Sequence, residues 1–323
     1  MDHGGRPPPE GFLMLPPFAV ADASALAMLG VYLALIAAAA FAGGSSVAFL
    51  SLTHRQMQVA LSLTGGVLLG VGLLHLLPHA WLQLDRDLET TMGWVLLGFF
   101  LMFLLERAFH GHAHHTADGG PDGHAHAHHD GCDHSGHAHH QPVGRTSRWA
   151  WCGAFAGLTL HSLADGAALA ASVDADARHG AGVLAGLATF LAILLHKPFD
   201  AGIIATLMIG GRTTARTRTI ANLLYALMVP CGAAAFLASL RLFGGQHDAL
   251  LGVALAMAAG AFLCIAAADL LPEVQFHSHD RVLLTASLAL GLTIAWGITV
   301  LERSSHAHAM HGVAAPAAGL GGH

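Results

Sequence analysis

The sequence predicts an all-α polytopic membrane protein. Eight transmembrane helices are expected, the first three and the last three forming inverted copies around a central pair, a 3+2+3 arrangement. Three observations carry this expectation. Charge is scarce: 11% of the 323 residues are Asp, Glu, Lys or Arg, against about 25% in an ordinary soluble domain. The mean hydropathy is +0.57. Apolar runs long enough to cross a bilayer, about 20 residues each, recur eight times, and a short polar pattern recurs in the second and seventh of them.

The first 20 residues are rich in proline and glycine and lack a basic stretch leading directly into a compact apolar core. They read as an external N-terminal segment rather than a cleaved signal. The spans follow at roughly 21–43, 59–84 and 91–109, then 149–173, 181–209, 219–240, 249–273 and 282–301. Grouped as regions, these are helices 1–3 over 21–109, a polar loop over 110–148, helices 4–8 over 149–303, and a tail over 304–323. Helices are required because hydrocarbon offers backbone amides and carbonyls no water. The second span contains HLLPHA, with His75 and His79. The seventh contains DLLPEV, with Asp269 and Glu273. Each reads ligand, Leu, Leu, Pro, ligand. Inverted repeats with a site near the midplane are a transporter architecture. His75, His79, Asp269 and Glu273 are therefore candidate pathway residues, with packing around proline kinks as the plainer alternative.

Arginine sets the orientation. With the N-terminus outside, Arg55, Arg107, Arg145, Arg148, Arg212, Arg216, Arg218 and Arg281 fall inside, and Arg6, Arg86, Arg178, Arg241 and Arg303 outside. Both termini are then outside, in a cell membrane expected to be the bacterial inner one. The net charge of -6 gives no footprint for nucleic acid. No glycine-rich phosphate loop or dinucleotide fingerprint occurs, so no organic cofactor is expected. Cys132, Cys152, Cys231 and Cys264 form no CxxC pair and predict no disulfide framework.

The 110–148 loop holds twelve of the 26 histidines between His110 and His140, spaced by Gly, Asp and Ala. It lacks apolar periodicity and is expected to be disordered. Imidazoles at this density bind transition ions weakly and in numbers. His112, His114, His115, His124, His126, His128, His129, His134, His137, His139 and His140 are its auxiliary metal-binding residues, on the cytoplasmic side by the orientation above.

The sharpest signal is polar residues inside apolar spans. LTLHSLADGAALAAS carries His161 and Asp165, and LLHKPFDAG carries His196, Lys197 and Asp200. Residues four apart share a helix face, so each His/Asp pair aims at one point. Two such helices in contact supply two imidazoles and two carboxylates. That set suits zinc, and also iron, manganese, cobalt or nickel. Buried carboxylates are costly in a bilayer, and a bound dication offsets two of them. Hydrogen-bonded interhelical histidines and a Lys197–Asp200 ion pair are the simpler readings of the same residues.

HSLADG, HKPFD, HLLPHA and DLLPEV together resemble the fourth-, fifth-, second- and seventh-span motifs of the ZIP (Zrt-/Irt-like) metal transporters. The resemblance implies the 3+2+3 arrangement, metal import toward the cytosol by an elevator-like slide, and metal as substrate rather than cofactor. It matches His161, Asp165 and His196 to ligand positions and puts Asp200 at a fourth. Ser162 stands where the family has Asn, and Lys197 where it has Glu. Those positions serve a second metal, so a single ion is expected, with Lys197 and Ser162 modulating the place of the other. The proline also comes one position early.

Two other functions fit the same residues: a metal exporter or nickel/cobalt permease, and an intramembrane metal-dependent hydrolase using Ser162 beside His161 and Asp165. The expected partners are divalent ions and the lipid bilayer. Small-residue stretches such as GAAAFLAS allow close packing within the chain or in a homodimer.

Overall fold

The computed structural model describes residues 23–47, 53–114, 150–178, 184–276 and 281–313. Ten α-helices run through them: α1 (Ala23–Ser46), α2 (His54–Val71), α3 (Leu77–Gln83), α4 (Leu88–His114), α5 (Ala150–Arg178), α6 (Leu187–Gly210), α7 (Ala215–Ala226), α8 (Met228–Leu242), α9 (His247–Phe276) and α10 (Arg281–Val313). There is no strand among the described residues. They form eight segments long and apolar enough to cross a membrane, because α2 and α3 make one span and α7 and α8 another.

Local chemistry sets the boundaries. Thr53 starts α2 with a reciprocal cap: its hydroxyl accepts from Gln56 N at 3.3 Å, and Gln56 Oε1 accepts from Thr53 N at 3.0 Å. Asp87 starts α4. Its carboxylate accepts from Glu89 N at 3.0 Å and from the Thr90 hydroxyl at 2.5 Å. The Thr90 hydroxyl bond is the main reason this carboxyl is held below its ordinary range. Between α2 and α3 the helix widens to a π turn over Gly72–Leu76. Pro78, at the start of α3, has no N–H and crowds the carbonyl four residues back, and a π turn accommodates that. Pro230 lies in the first turn of α8, just after the break at Leu227, where a missing donor costs little.

The most extensive contacts pair α1 with α6, α5 with α8, α2 with α10 and α4 with α9. Exchanging the first, second and third spans with the sixth, seventh and eighth, and the fourth with the fifth, maps this set of pairs onto itself. That is the pattern an inverted repeat requires. Glycine pairs make the crossings close. A Cβ on Gly66 would strike Leu288 O, and one on Gly291 would strike Leu63 O; on Gly98 it would strike Met257 O, and on Gly260 Val95 O. Gly66 and Gly260 exchange under the repeat, as do Gly291 and Gly98. Small residues at such contacts let two backbones approach where no water drives association.

The same contacts sort the helices into two groups. One holds α1, α5, α6, α7 and α8; the other holds α2, α3, α4, α9 and α10. The buried core runs through both, from Ile36 and Leu169 to Leu255 and Phe262. The described part of α4 continues to His114, five residues into the polar loop of 110–148, and α10 continues to Val313. His115, His124, His126, His128, His129, His134, His137, His139 and His140 lie outside the described residues. So do the side chains of His112, His114, Asp269 and Glu273.

Candidate metal site

His161 and Asp165 sit midway along α5, and His196, Lys197 and Asp200 midway along α6. Close α5–α8 packing fixes the first pair. Gly166 lies one residue after Asp165, and a Cβ there would strike Val229 O. The second set flanks Pro198, inside α6, whose Cα and carbonyl lie against Gly43 of α1.

Three ligand atoms form a nearly equilateral triangle. His161 Nε2 lies 3.4 Å from His196 Nε2 and 3.3 Å from Asp165 Oδ2, and His196 Nε2 lies 3.3 Å from the same oxygen. Zinc–ligand bonds of about 2.0–2.2 Å put adjacent atoms of a tetrahedron roughly 3.4 Å apart. The triangle therefore has the dimensions of one tetrahedral face. All three residues are buried. His196 Nδ1 donates to Ala192 O at 2.8 Å, which fixes the ring so that Nε2 faces the carboxylate of Asp165. His161 Nε2, His196 Nε2 and Asp165 Oδ2 are together close enough to hold one metal ion.

Asp200 stands further off, with Oδ2 3.8 Å from His161 Nε2 and 3.9 Å from His196 Nε2. The same oxygen accepts from Lys197 Nζ at 3.1 Å and Tyr225 OH at 3.2 Å. Lys197 is fully buried. Its ammonium lies 2.5 Å from Asp165 Oδ2 and donates to Ser162 Oγ at 3.1 Å, while Ser162 donates to Leu158 O at 2.7 Å. An ammonium has three donors, and Asp165, Asp200 and Ser162 take one each. Tyr225, on α7, was not visible as a site residue in the sequence.

A cavity of about 270 Å³ begins beside Tyr225 and runs along Ala201, Ala205, Asn222 and Arg218. It reaches Gly44 and Ser45 at the end of α1, Met208 and Ile209 at the end of α6, and Ala215 at the start of α7. A second cavity, about 390 Å³ and mostly apolar, reaches His161 and Asp165 between α4, α5, α8 and α9.

His75 and His79 lie at the other end of the molecule, beside Asp176 of α5. Asp176 and its neighbours Glu302, Ser172 and Thr189 escaped sequence reasoning. The first had a usable signal, since Ser172 and Asp176 follow Asp165 by seven and eleven residues, on the same helix face.

Fold and site together define a multi-span helical membrane protein with a buried His/Asp centre fit for a transition-metal dication. The ZIP zinc transporter model matches residues 23–301, and the chain belongs to that family. It is 28% identical over 277 residues to zinc transporter ZIP1 of Bos taurus, covering 76% of this chain and 80% of that relative. It is 35% identical over 133 residues to ZIP9-B of Xenopus laevis, covering 39% and 41%, and 35% identical to ZIP9 of Micropogonias undulatus over 131 residues, covering 39% and 40%. The chain thus spans about two fifths of the ZIP9 relatives it matches. All three relatives are named as zinc transporters, not enzymes.

Proposed function

We propose that this protein carries a divalent transition metal, zinc first among them, through the membrane toward the cytosol, with His161, Asp165 and His196 as the transport ligands. The single observation behind the reading is their triangle of 3.3–3.4 Å edges, a tetrahedral face with its fourth direction left for water or Asp200. Three protein ligands with an exchangeable fourth suit an ion that must leave again. A closed cage would hold it.

Lys197 limits the centre to one metal. Its positive charge stands 2.5 Å from Asp165, where a second dication would need to share the same carboxylate. Ser162, which accepts from that ammonium, belongs to its setting rather than to the metal. Asp200 completes the ion's shell when it shifts from Lys197 and Tyr225. The elevator reading draws on the two helix groups: His161, Asp165, His196 and Asp200 all belong to the group of α1, α5, α6, α7 and α8, which would move as one body against the other. The cavity beside Tyr225 then serves as the exit. Released metal meets the histidines of 110–148, cytoplasmic by the arginine distribution, and both termini are external.

The test is zinc uptake by proteoliposomes containing the purified full-length protein. Asp165→Asn keeps the side-chain volume and removes the anionic ligand. Saturable uptake is expected to vanish while the helical content stays. Undiminished uptake by this variant would reject the site. Metal pulses given separately to each side settle import against export.

A further inference from the structure

The polar cluster at the far end of α5 has ligand geometry of its own. His75 Nε2 lies 3.5 Å from Asp176 Oδ2, and His79 Nδ1 lies 3.4 Å from Asp176 Oδ1. These separations again approximate the edge of a tetrahedron around an ion with bonds of about 2.0–2.2 Å. Glu302 Oε2 stands 3.0 Å from His75 Nδ1. A carboxylate against one imidazole nitrogen turns the other toward a metal and raises its basicity. His75 Nε2 also meets Ser172 Oγ at 3.0 Å, and that oxygen accepts from Thr189 at 2.8 Å.

Both acids are anchored. Asp176 Oδ2 accepts from Gly186 N at 2.7 Å, and Glu302 Oε1 accepts from Ala188 N at 3.4 Å. A helix-capping role for α6 explains those two oxygens. It does not explain why the remaining oxygen of Asp176 faces one imidazole, or why a second imidazole shares the same carboxylate. His75, Asp176 and Glu302 are buried, and His79 is partly exposed, which gives an ion a way in.

The cluster is separate from the transport triangle. Asp176 lies eleven residues beyond Asp165, about 16 Å along the helix. Ala168, Leu169, Ala192 and Ile193, essentially without exposure, fill the space between. The ligands also come from both helix groups: His75, His79 and Glu302 from the group of α2, α3 and α10, and Asp176 from α5.

We infer that His75, His79 and Asp176, held in place by Glu302, form a second divalent-metal site that bridges the two helix groups on the face opposite residues 110–148. An ion there binds both groups at once. It stabilises the arrangement in which they lie in this register and slows any movement that separates them. The binding claim stands on this geometry alone; the slowing rests on the transport reading above.

The probe is zinc(II), with full-length protein crystallised in its presence and anomalous difference maps collected at the zinc edge. Positions in a map distinguish this site from weakly bound zinc on the histidine-rich segment. A peak is expected among His75, His79 and Asp176 in the wild type and in Asp165→Asn, and none in His79→Ala. Asp176→Asn, which keeps an acceptor for Gly186 N, is the second variant should His79→Ala not fold, and it too should lose the peak. Loss of such a group should weaken zinc at this site by at least about 10-fold. A wild-type map with a peak at the His161–Asp165–His196 triangle and none here overturns the inference. A peak here alone sustains it and rejects the triangle, and a map with neither overturns both. In proteoliposomes, wild-type uptake should fall at high zinc on this face, and the His79→Ala curve should hold its plateau. A wild-type plateau at zinc concentrations that fill the site overturns the tie between the groups.

Discussion

Lys197 is the residue that distinguishes this centre. A buried ammonium is tolerated only with close anionic company, and Asp165 and Asp200 supply it at 2.5 and 3.1 Å. On the proposed reading the lysine and a metal share Asp165, and the cation already present would set how many more can enter. Lys197→Glu replaces that ammonium with a carboxylate beside Asp165 and Asp200. Three acids with two imidazoles call for more positive charge, so the centre in this variant is expected to hold two ions, seen as two zinc-edge anomalous peaks among His161, Asp165, His196 and residue 197, apart from any peak at His75, His79 and Asp176. A single peak at this centre would count against the ammonium as the block. The convergence of His161, Asp165 and His196 was legible in the sequence because four-residue spacing on a helix is a local fact, repeated on adjacent spans. The hydrogen bond of Tyr225 to Asp200, and the meeting of Asp176 with His75 and Glu302, were not. Those contacts join residues far apart in sequence, and nothing in the local pattern of α7 or α10 announces them.

At the scale of the element, the spans were legible from apolar length, and the irregularity before α3 from Pro78. Pro198 suggested a broken helix, yet α6 runs through it without a break. Which helix packs against which was not legible. That is decided by glycines whose crossings appear only in three dimensions. Gly260 is the sharpest case: its missing side chain admits the backbone of Val95 and Phe99. Gly260→Leu is expected to destabilise the α4–α9 contact by at least the roughly 1–3 kcal/mol typical of overpacking, lowering the melting temperature in detergent. Gly297→Leu serves as control, because nothing lies within 4 Å of its added Cβ; its melting temperature should stay near the wild type's. The start of α4 makes a different prediction. Asp87 ionises more readily when folded than when unfolded, through its bonds to Thr90 and Glu89. Its contribution is therefore full above the ordinary Asp value near 4 and fades as pH falls through the lower folded value. Asp87→Ala should melt earlier than the wild type at neutral pH, and the two curves should draw together under acid. A gap of equal size at both would exclude the carboxylate as the cap.

At the scale of the whole molecule, two groups of helices meet along a surface with a polar centre on one side and a polar clasp near one end. The triangle of His161, Asp165 and His196 lies within one group, whereas the cluster of His75, His79 and Asp176 draws on both. On the elevator reading proposed above, cargo held wholly within that group would keep its bonds through the movement, and the contacts that define each end state would lie elsewhere. The histidine-rich segment is then expected to act outside the translocation step. Its twelve imidazoles between His110 and His140 outnumber the ligands of the central site. Removal of Gly111 to His140 is expected to leave the half-saturating zinc concentration for initial uptake unchanged, because no residue of the triangle is touched. The same deletion should lower the zinc bound per protein at high concentration and alter how uptake declines as internal metal accumulates. Paired initial-rate and long-time uptake curves separate these effects. A shift in half-saturation with the long-time behaviour preserved would instead make the segment part of the transport path, and would require the exit beside Tyr225 to pass ions directly onto it.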